Sequence, residues 1–191
     1  MSNEQFLFQN VEADVMEEKA NKLFGLTRIL DSRLTTDFLS FLSILDPSNL
    51  LDQDQKKEAI ATLNKVLTPI ADEIAAAFTG VGVGYYALCV DSIVAYAPSD
   101  QLGDKVGISI WPEHIGRRAM QERREIVGVG SMVRGDVLNT VRPLIRGNKV
   151  IGFVWANETV EDIYRQLQER KKRHYYSDKL CGPLLGMVLR E

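Results

Sequence analysis

Residues 131–157, SMVRGDVLNTVRPLIRGNKVIGFVWAN, decide the fold. As an extended chain, Val137, Asn139, Val141, Pro143 and Ile145 lie on one side. Leu138, Thr140, Arg142 and Leu144 lie on the other, because successive strand side chains alternate. Arg146-Gly147-Asn148-Lys149 supplies the turn, since Gly and Asn accept the positive φ of tight hairpins. Val150, Ile151, Phe153, Val154 and Trp155 form a largely buried return strand. A helix follows, with Asn157 or Thr159 as its cap. Asn139 stands where an apolar residue is expected. A buried amide without a partner costs about 1–3 kcal/mol, so Asn139 either bonds nearby backbone or faces a ligand pocket. Arg134-Gly135 lies just before this strand.

Working outward, residues 124–133 read as a third strand, preceded by a short helix from Pro112 to about Arg123, with Pro at its first position. Residues 85–90 and 93–97 read as two earlier strands, with Asp91-Ser92 as their turn. Before them, Gly80, Gly82 and Gly84 alternate in a pattern that spoils a helix but permits close backbone approach in a strand. Gln53 to Phe78 is helical, with Ile60, Leu63, Leu67, Ile70, Ile74 and Phe78 on one face and a kink expected at Pro69. Residues 4–45 read as one long helix, with a possible break near Thr35-Thr36. Met16, Ala20, Leu23, Thr27, Leu30 and Leu34 recur at a mean spacing of 3.5 residues, the seam of a coiled coil or a long packed helix. A homodimer through this helix is expected. The fold class is α+β: a five-stranded antiparallel sheet, a long N-terminal helix, a second helix and a short helical insertion. Three regions follow: 1–78 helical, 79–168 the sheet domain, and 169–191 a basic and apolar tail containing Arg170-Lys171-Lys172-Arg173.

Composition narrows the function. The net charge of −3 gives no reason to expect nucleic acid. The two cysteines, Cys89 and Cys181, make no disulfide framework, and the two histidines no convincing metal site. No apolar run reaches a membrane span of about 18 residues. A nucleophile activated by His114, Cys89 or Ser131, lacks a third group, so no catalytic residue, no metal and no cofactor is expected.

Two short patterns carry a resemblance. Residues 93–97 followed by Pro98-Ser99-Asp100-Gln101-Leu102-Gly103 resemble the Pro-x-x-x-(Ile/Leu)-Gly exit of PAS-like extracytoplasmic sensors. Residues 134–145 followed by Gly147-Asn148-Lys149-Val150-Ile151-Gly152 resemble their closing pattern, a strand ending in Pro-(Leu/Ile) and a turn leading to x-Val-Ile-Gly-x-Val. The family is the single Cache sensor domain of bacterial histidine kinases and chemoreceptors, and the resemblance covers residues 10–168. It implies a PAS-like sheet and a small-molecule pocket between that sheet and the helical insertion. It also implies an extracytoplasmic place in a larger membrane protein whose kinase and spans lie outside this chain. Where dicarboxylate- and citrate-sensing relatives often carry a His, this chain has Tyr96; where they carry two basic strand residues, it has Asn139 and Val141.

The candidate ligand-binding residues are Tyr85, Tyr96, His114, Arg117, Arg134 and Asn139. Tyrosine gives an apolar body with a polar tip, and His114 with the arginines of the short helix can close over an anion. The favoured ligand is a small organic carboxylate or amino acid, because guanidinium offers a carboxylate two parallel hydrogen bonds. Residues 104–123 are expected to cover the pocket. The competing functions are a dimerisation module without a ligand and a soluble intracellular PAS-like regulator.

Overall fold

The computed structural model describes residues 3–34, 51–170 and 172, with side chains from residue 12 onward. The elements in chain order are α1 (Asn3–Ser32), α2 (Gln53–Ala77), β1 (Val81–Ala87), β2 (Ser92–Ala97) and the single turn α3 (Ser99–Leu102). They continue with α4 (Ile115–Glu122), β3 (Ile126–Met132), β4 (Gly135–Arg146), β5 (Lys149–Thr159) and α5 over residues 160–170. The strands form one antiparallel sheet in the order β2-β1-β5-β4-β3. The α+β class and the five strands are as the sequence implies.

Several boundaries differ from the expectation. The first strand starts at Val81, because the alternating glycines belong to it, and it ends at Ala87 in a 3₁₀ turn, Leu88–Val90. Asp91 takes a left-handed φ of 49° in the connection to β2. The short helix starts at Ile115 rather than Pro112, because the His114 imidazole Nδ1 accepts the Gly116 N–H at 2.9 Å and caps it. Thr159, not Asn157, caps α5, accepting from the Asp162 N–H at 3.2 Å. Helix α1 ends at Ser32; the expected continuation to residue 45, and the tail at 171 and 173–191, lie outside the described residues.

Helices α1 and α2 cover one face of the sheet, α1 over β4 and β5 and α2 over β1 and β2. A reciprocal capping box of Asp52 and Gln55 starts α2, a device worth about 1 kcal/mol. Leu23, Leu30, Leu63, Leu67, Val83 and Val154 are at most 1% exposed in the core between these layers. The seam expected to meet a second copy is therefore spent on the chain's own sheet: Leu23, Thr27, Leu30 and Leu34 are all buried. A 3.5-residue stripe fits a flat sheet as readily as a partner helix, and the sheet takes it.

A buried ion pair, Glu158 with Lys19, lies inside this layer. Glu158, near the end of β5, is fully buried. Its Oε1 accepts from Lys19 Nζ at 2.9 Å and Gln166 Nε2 at 2.8 Å, and Lys22 Nζ stands 3.5 Å from Oε2, an ion-pair rather than a hydrogen-bond distance. β5 is thereby tied to α1 and α5 at once.

Candidate functional site

Strand alternation brings a second set of side chains to the face away from α1 and α2. Tyr86 comes from β1, Tyr96 from β2, Asn139 and Val141 from β4, and Phe153, Trp155 and Asn157 from β5. Residues 108–114, with Met132 and Val133, close over them. Between them lies a partly open cavity of about 130 Å³, lined by Tyr96, Trp111, His114, Asn139, Phe153, Trp155 and Asn157, with Ile93, Ile108, Ser109, Ile110, Met132 and Val133.

The glycines of β1 make this packing possible. A Cβ at Gly84 would sit 2.3 Å from the Trp155 ring, and one at Gly82 would sit 2.7 Å from both the Arg134 guanidinium and Asn157 Oδ1. Only a residue without a side chain lets Trp155, Asn157 and Arg134 lie against β1.

The polar groups converge on one spot. Asn139 and Asn157 are direct cross-strand partners, each 2% exposed. Arg134 Nη1 donates to Asn157 Oδ1 at 2.9 Å and Nη2 to Gly80 O at 3.0 Å. Asn157 Nδ2 in turn donates to the Tyr96 hydroxyl at 3.4 Å. Burial pushes the Tyr96 phenol up, so it stays protonated. Asn139 Oδ1 is buried and has no hydrogen-bond partner. His114 stacks on Phe153 with ring centroids 5.8 Å apart and meets Trp111 edge-on at 4.6 Å. Burial, then the nearby Arg117 charge, depresses its pKa from 6.5 to about 4. The imidazole is neutral, and with Nδ1 accepting, its proton sits on Nε2.

Of the six sequence candidates, Tyr96, His114 and Asn139 line the cavity. Arg134 stands behind it and orients Asn157. Arg117 holds the cover, donating to Asp91 at 2.9 Å and to Ile110 O at 2.8 Å. Asp91 also accepts from Tyr86 and Ser109. Burial pushes the Asp91 carboxyl up, but these three hydrogen bonds outweigh it and hold the pKa below the usual range. Tyr85 is a correction: its parity in β1 turns it to the helix face, where its hydroxyl donates to Leu30 O at 2.8 Å. Arg118 pairs with Glu122, and Arg142 with Asp31 and Glu125, so no guanidinium lines the cavity.

Asn157, Trp111, Phe153 and Trp155 are the site residues that the sequence reading did not select. Asn157 shares parity with Phe153 and Trp155, a signal visible once β5 is extended past residue 155. A larger open groove of about 620 Å³ lies between α2 and the Asp91 turn, lined in part by Lys56, Lys57, Asn64 and Ser92. No unpartnered buried polar atom among the described residues faces it, so the smaller cavity is the better candidate. The Cys89 thiol is pushed up by burial, the Ser131 hydroxyl donates to Asp136, and neither forms a nucleophile pair with His114.

The family described as the AtoS N-terminal domain matches residues 4–165. The chain is 36% identical over 152 residues to the signal transduction histidine-protein kinase AtoS of Escherichia coli strain K12, covering 80% of this chain and 23% of that protein. This chain thus corresponds to less than a quarter of the curated relative. Among solved structures, the E. coli DcuS sensor domain aligns with a TM-score of 0.54 at 12% identity, over 81% of this chain and 98% of that one. That is a likeness of fold. An extracellular ligand-binding receptor from Desulfohalobium retbaense aligns at a TM-score of 0.49 and 14% identity, over 84% of this chain and 26% of that one. Because the family match runs from α1 through all five strands into α5, the chain belongs to the AtoS N-terminal domain family.

Proposed function

We propose that this chain is the small-molecule-sensing domain of a bacterial signal transducer of the sensor histidine kinase type. It takes its ligand in the cavity bounded by Asn139, Asn157, Tyr96 and His114. The kinase and the membrane spans would belong to other parts of the same polypeptide, with the domain on the extracytoplasmic side. Among the described residues no helix is long and apolar enough to cross a membrane. The observation that carries the reading is a partly open cavity walled by Trp111, His114, Phe153 and Trp155 with Tyr96, Asn139 and Asn157 among its lining residues, and Asn139 Oδ1 buried without a hydrogen-bond partner. A protein interior keeps such an atom satisfied unless something else completes it. The relay would run along β5, which lines the cavity with one face and anchors α1 and α5 through Glu158 on the other. Ligand binding would then shift the population between two settings of those helices. A second copy would have to use a surface other than the buried seam of α1.

The protein supplies its own reporter, because both of its tryptophans, Trp111 and Trp155, line the cavity. Small organic molecules that bind are expected to change tryptophan emission, and Asn139→Leu is expected to abolish the change while circular dichroism stays constant. Compounds that raise the melting temperature, leave emission unchanged and bind Asn139→Leu equally well would place the site elsewhere.

A further inference from the structure

We infer that Arg134 is the positioning residue of this cavity: it pins the wall formed by Met132 and Val133 to β5 and to the start of β1, and so keeps that side of the site closed. The inference rests on the sensing function proposed above and names what holds its site in shape.

Arg134 lies in the turn between β3 and β4, directly after Met132 and Val133, which line the cavity. Gly135 follows with a φ of 88°, a left-handed value that suits glycine. β3 is the last strand of the sheet, and Val133 is 49% exposed. A turn at the end of an edge hairpin opens easily unless something ties it down.

The arginine does not spend its donors on that hairpin. Nη1 donates to Asn157 Oδ1 at 2.9 Å and to Asn157 O at 3.3 Å, and Nη2 donates to Gly80 O at 3.0 Å. In the strand order β1-β5-β4-β3, the side chain thus reaches beyond β4 and bridges β5 to the chain entering β1. Gly82 clears its path, since a Cβ there would lie 2.7 Å from Nη1 and 3.1 Å from Cδ. Every acceptor is an uncharged carbonyl oxygen. What fits them is the fork of a guanidinium, whose two Nη groups reach two segments at once, whereas the ammonium of a lysine is a single point.

The same contact shapes a second lining residue. Asn157 also lines the cavity, and an amide can turn either end toward a neighbour. Its Oδ1 accepts from Arg134 while its Nδ2 donates to the Tyr96 hydroxyl, so the guanidinium fixes which end each neighbour meets. Asn157 immediately precedes Glu158, which ties the pinned wall to the residue beside the anchor of α1 and α5. The facing wall has its own arginine, because Arg117 donates to Ile110 O and Trp111 O. Loss of Arg134 should therefore loosen one wall and spare the other.

Two measurements on the 191-residue chain without ligand test this. One is amide hydrogen exchange. The other is acrylamide quenching of emission in a Trp111→Phe background, where Trp155, 6% exposed, is the sole tryptophan. In Arg134→Met, exchange over residues 130–135 is expected to rise about tenfold or more, as charge-assisted hydrogen bonds are lost. Exchange over residues 108–114 should stay as in the unmutated chain, and acrylamide should quench Trp155 more strongly. Arg134→Lys should fall between the two. Arg142→Met breaks the pairing with Asp31 and Glu125 instead, and controls for lost stability alone; it should leave both readouts unchanged. Unchanged readouts in Arg134→Met, a rise shared equally by residues 108–114, or the same rise in Arg142→Met overturns the positioning role and leaves the sensing function standing. Absence of any small molecule that changes tryptophan emission overturns the sensing function without touching either readout. If Arg134→Met does not fold, Arg134→Lys decides by the same two measurements.

Discussion

Asn139 shows at the scale of one residue how a binding site differs from a core. Its unpartnered Oδ1 costs about 1–3 kcal/mol in the unliganded protein. Asn139→Leu is therefore expected to leave the unfolding free energy unchanged or to raise it by about 1 kcal/mol, while removing binding. Urea denaturation measures this, and a loss of several kcal/mol would mean that the amide holds the sheet together. His114 gives a pH signature. Its folded pKa of about 4 lies below the ordinary 6.5, so the unfolded chain binds a proton that the folded one refuses. Stability from this group is fully present above about pH 6.5 and falls as the pH drops toward 4. By about pH 5 the loss is about 2 kcal/mol. His114→Asn keeps a capping oxygen for α4 and removes the titration, so it should lose about 2 kcal/mol less than the unmutated chain between about pH 7 and pH 5. Equal losses would show that His114 is hydrated and ordinary. Asn139 is legible in the sequence as a polar residue at an apolar strand position, Tyr96 as an apolar body with a polar tip, and His114 as a titratable group beside Arg117 and Arg118. Asn157 was not, because Asn before a helix also reads as a cap, and only the length of β5 decides between cap and strand.

At the scale of elements, periodicity told which face a residue shares but not what covers that face. The division of β4 into an Asn139 side and a Leu138 side was readable from alternation alone. The glycines of β1 were readable as a place of close approach, but not as the seat of Trp155 and Arg134, which are remote in sequence. Gly84→Ala is expected to destabilise the domain by about 1–3 kcal/mol. The new Cβ meets the Trp155 ring and the Ala95 carbonyl oxygen, at 2.3 and 2.4 Å, and backbone cannot swing aside. Unchanged stability together with unchanged tryptophan emission would contradict this packing. The stripe on α1 gave the period correctly and its occupant wrongly, since the sheet that buries it forms from residues more than a hundred positions later. Leu23, with no exposed area, should on mutation to Asp unfold the domain, not dissociate a dimer. A folded, monomeric Leu23→Asp found by sedimentation would restore the intermolecular seam.

At the scale of the whole molecule, β5 sends side chains to both layers of the fold. One face carries Phe153, Trp155 and Asn157 to the cavity, and the other carries Glu158 to Lys19, Lys22 and Gln166. Removing one partner of a buried ion pair costs about 3–5 kcal/mol, so Lys19→Met is expected to weaken the hold of β5 on α1 by a cost of that order, read from urea unfolding. The central claim is that ligand enters the Asn139 cavity and is felt at the terminal helices. Nuclear magnetic resonance of the backbone and side-chain amides, with a ligand selected by tryptophan emission, tests it most directly. The expected shifts begin at Asn139, Asn157, Trp111 and Trp155 and continue through Glu158 to Lys19 and Gln166. Shifts gathered around Lys56, Asn64 and Ser92 in the open groove, with the cavity amides unmoved, would contradict it.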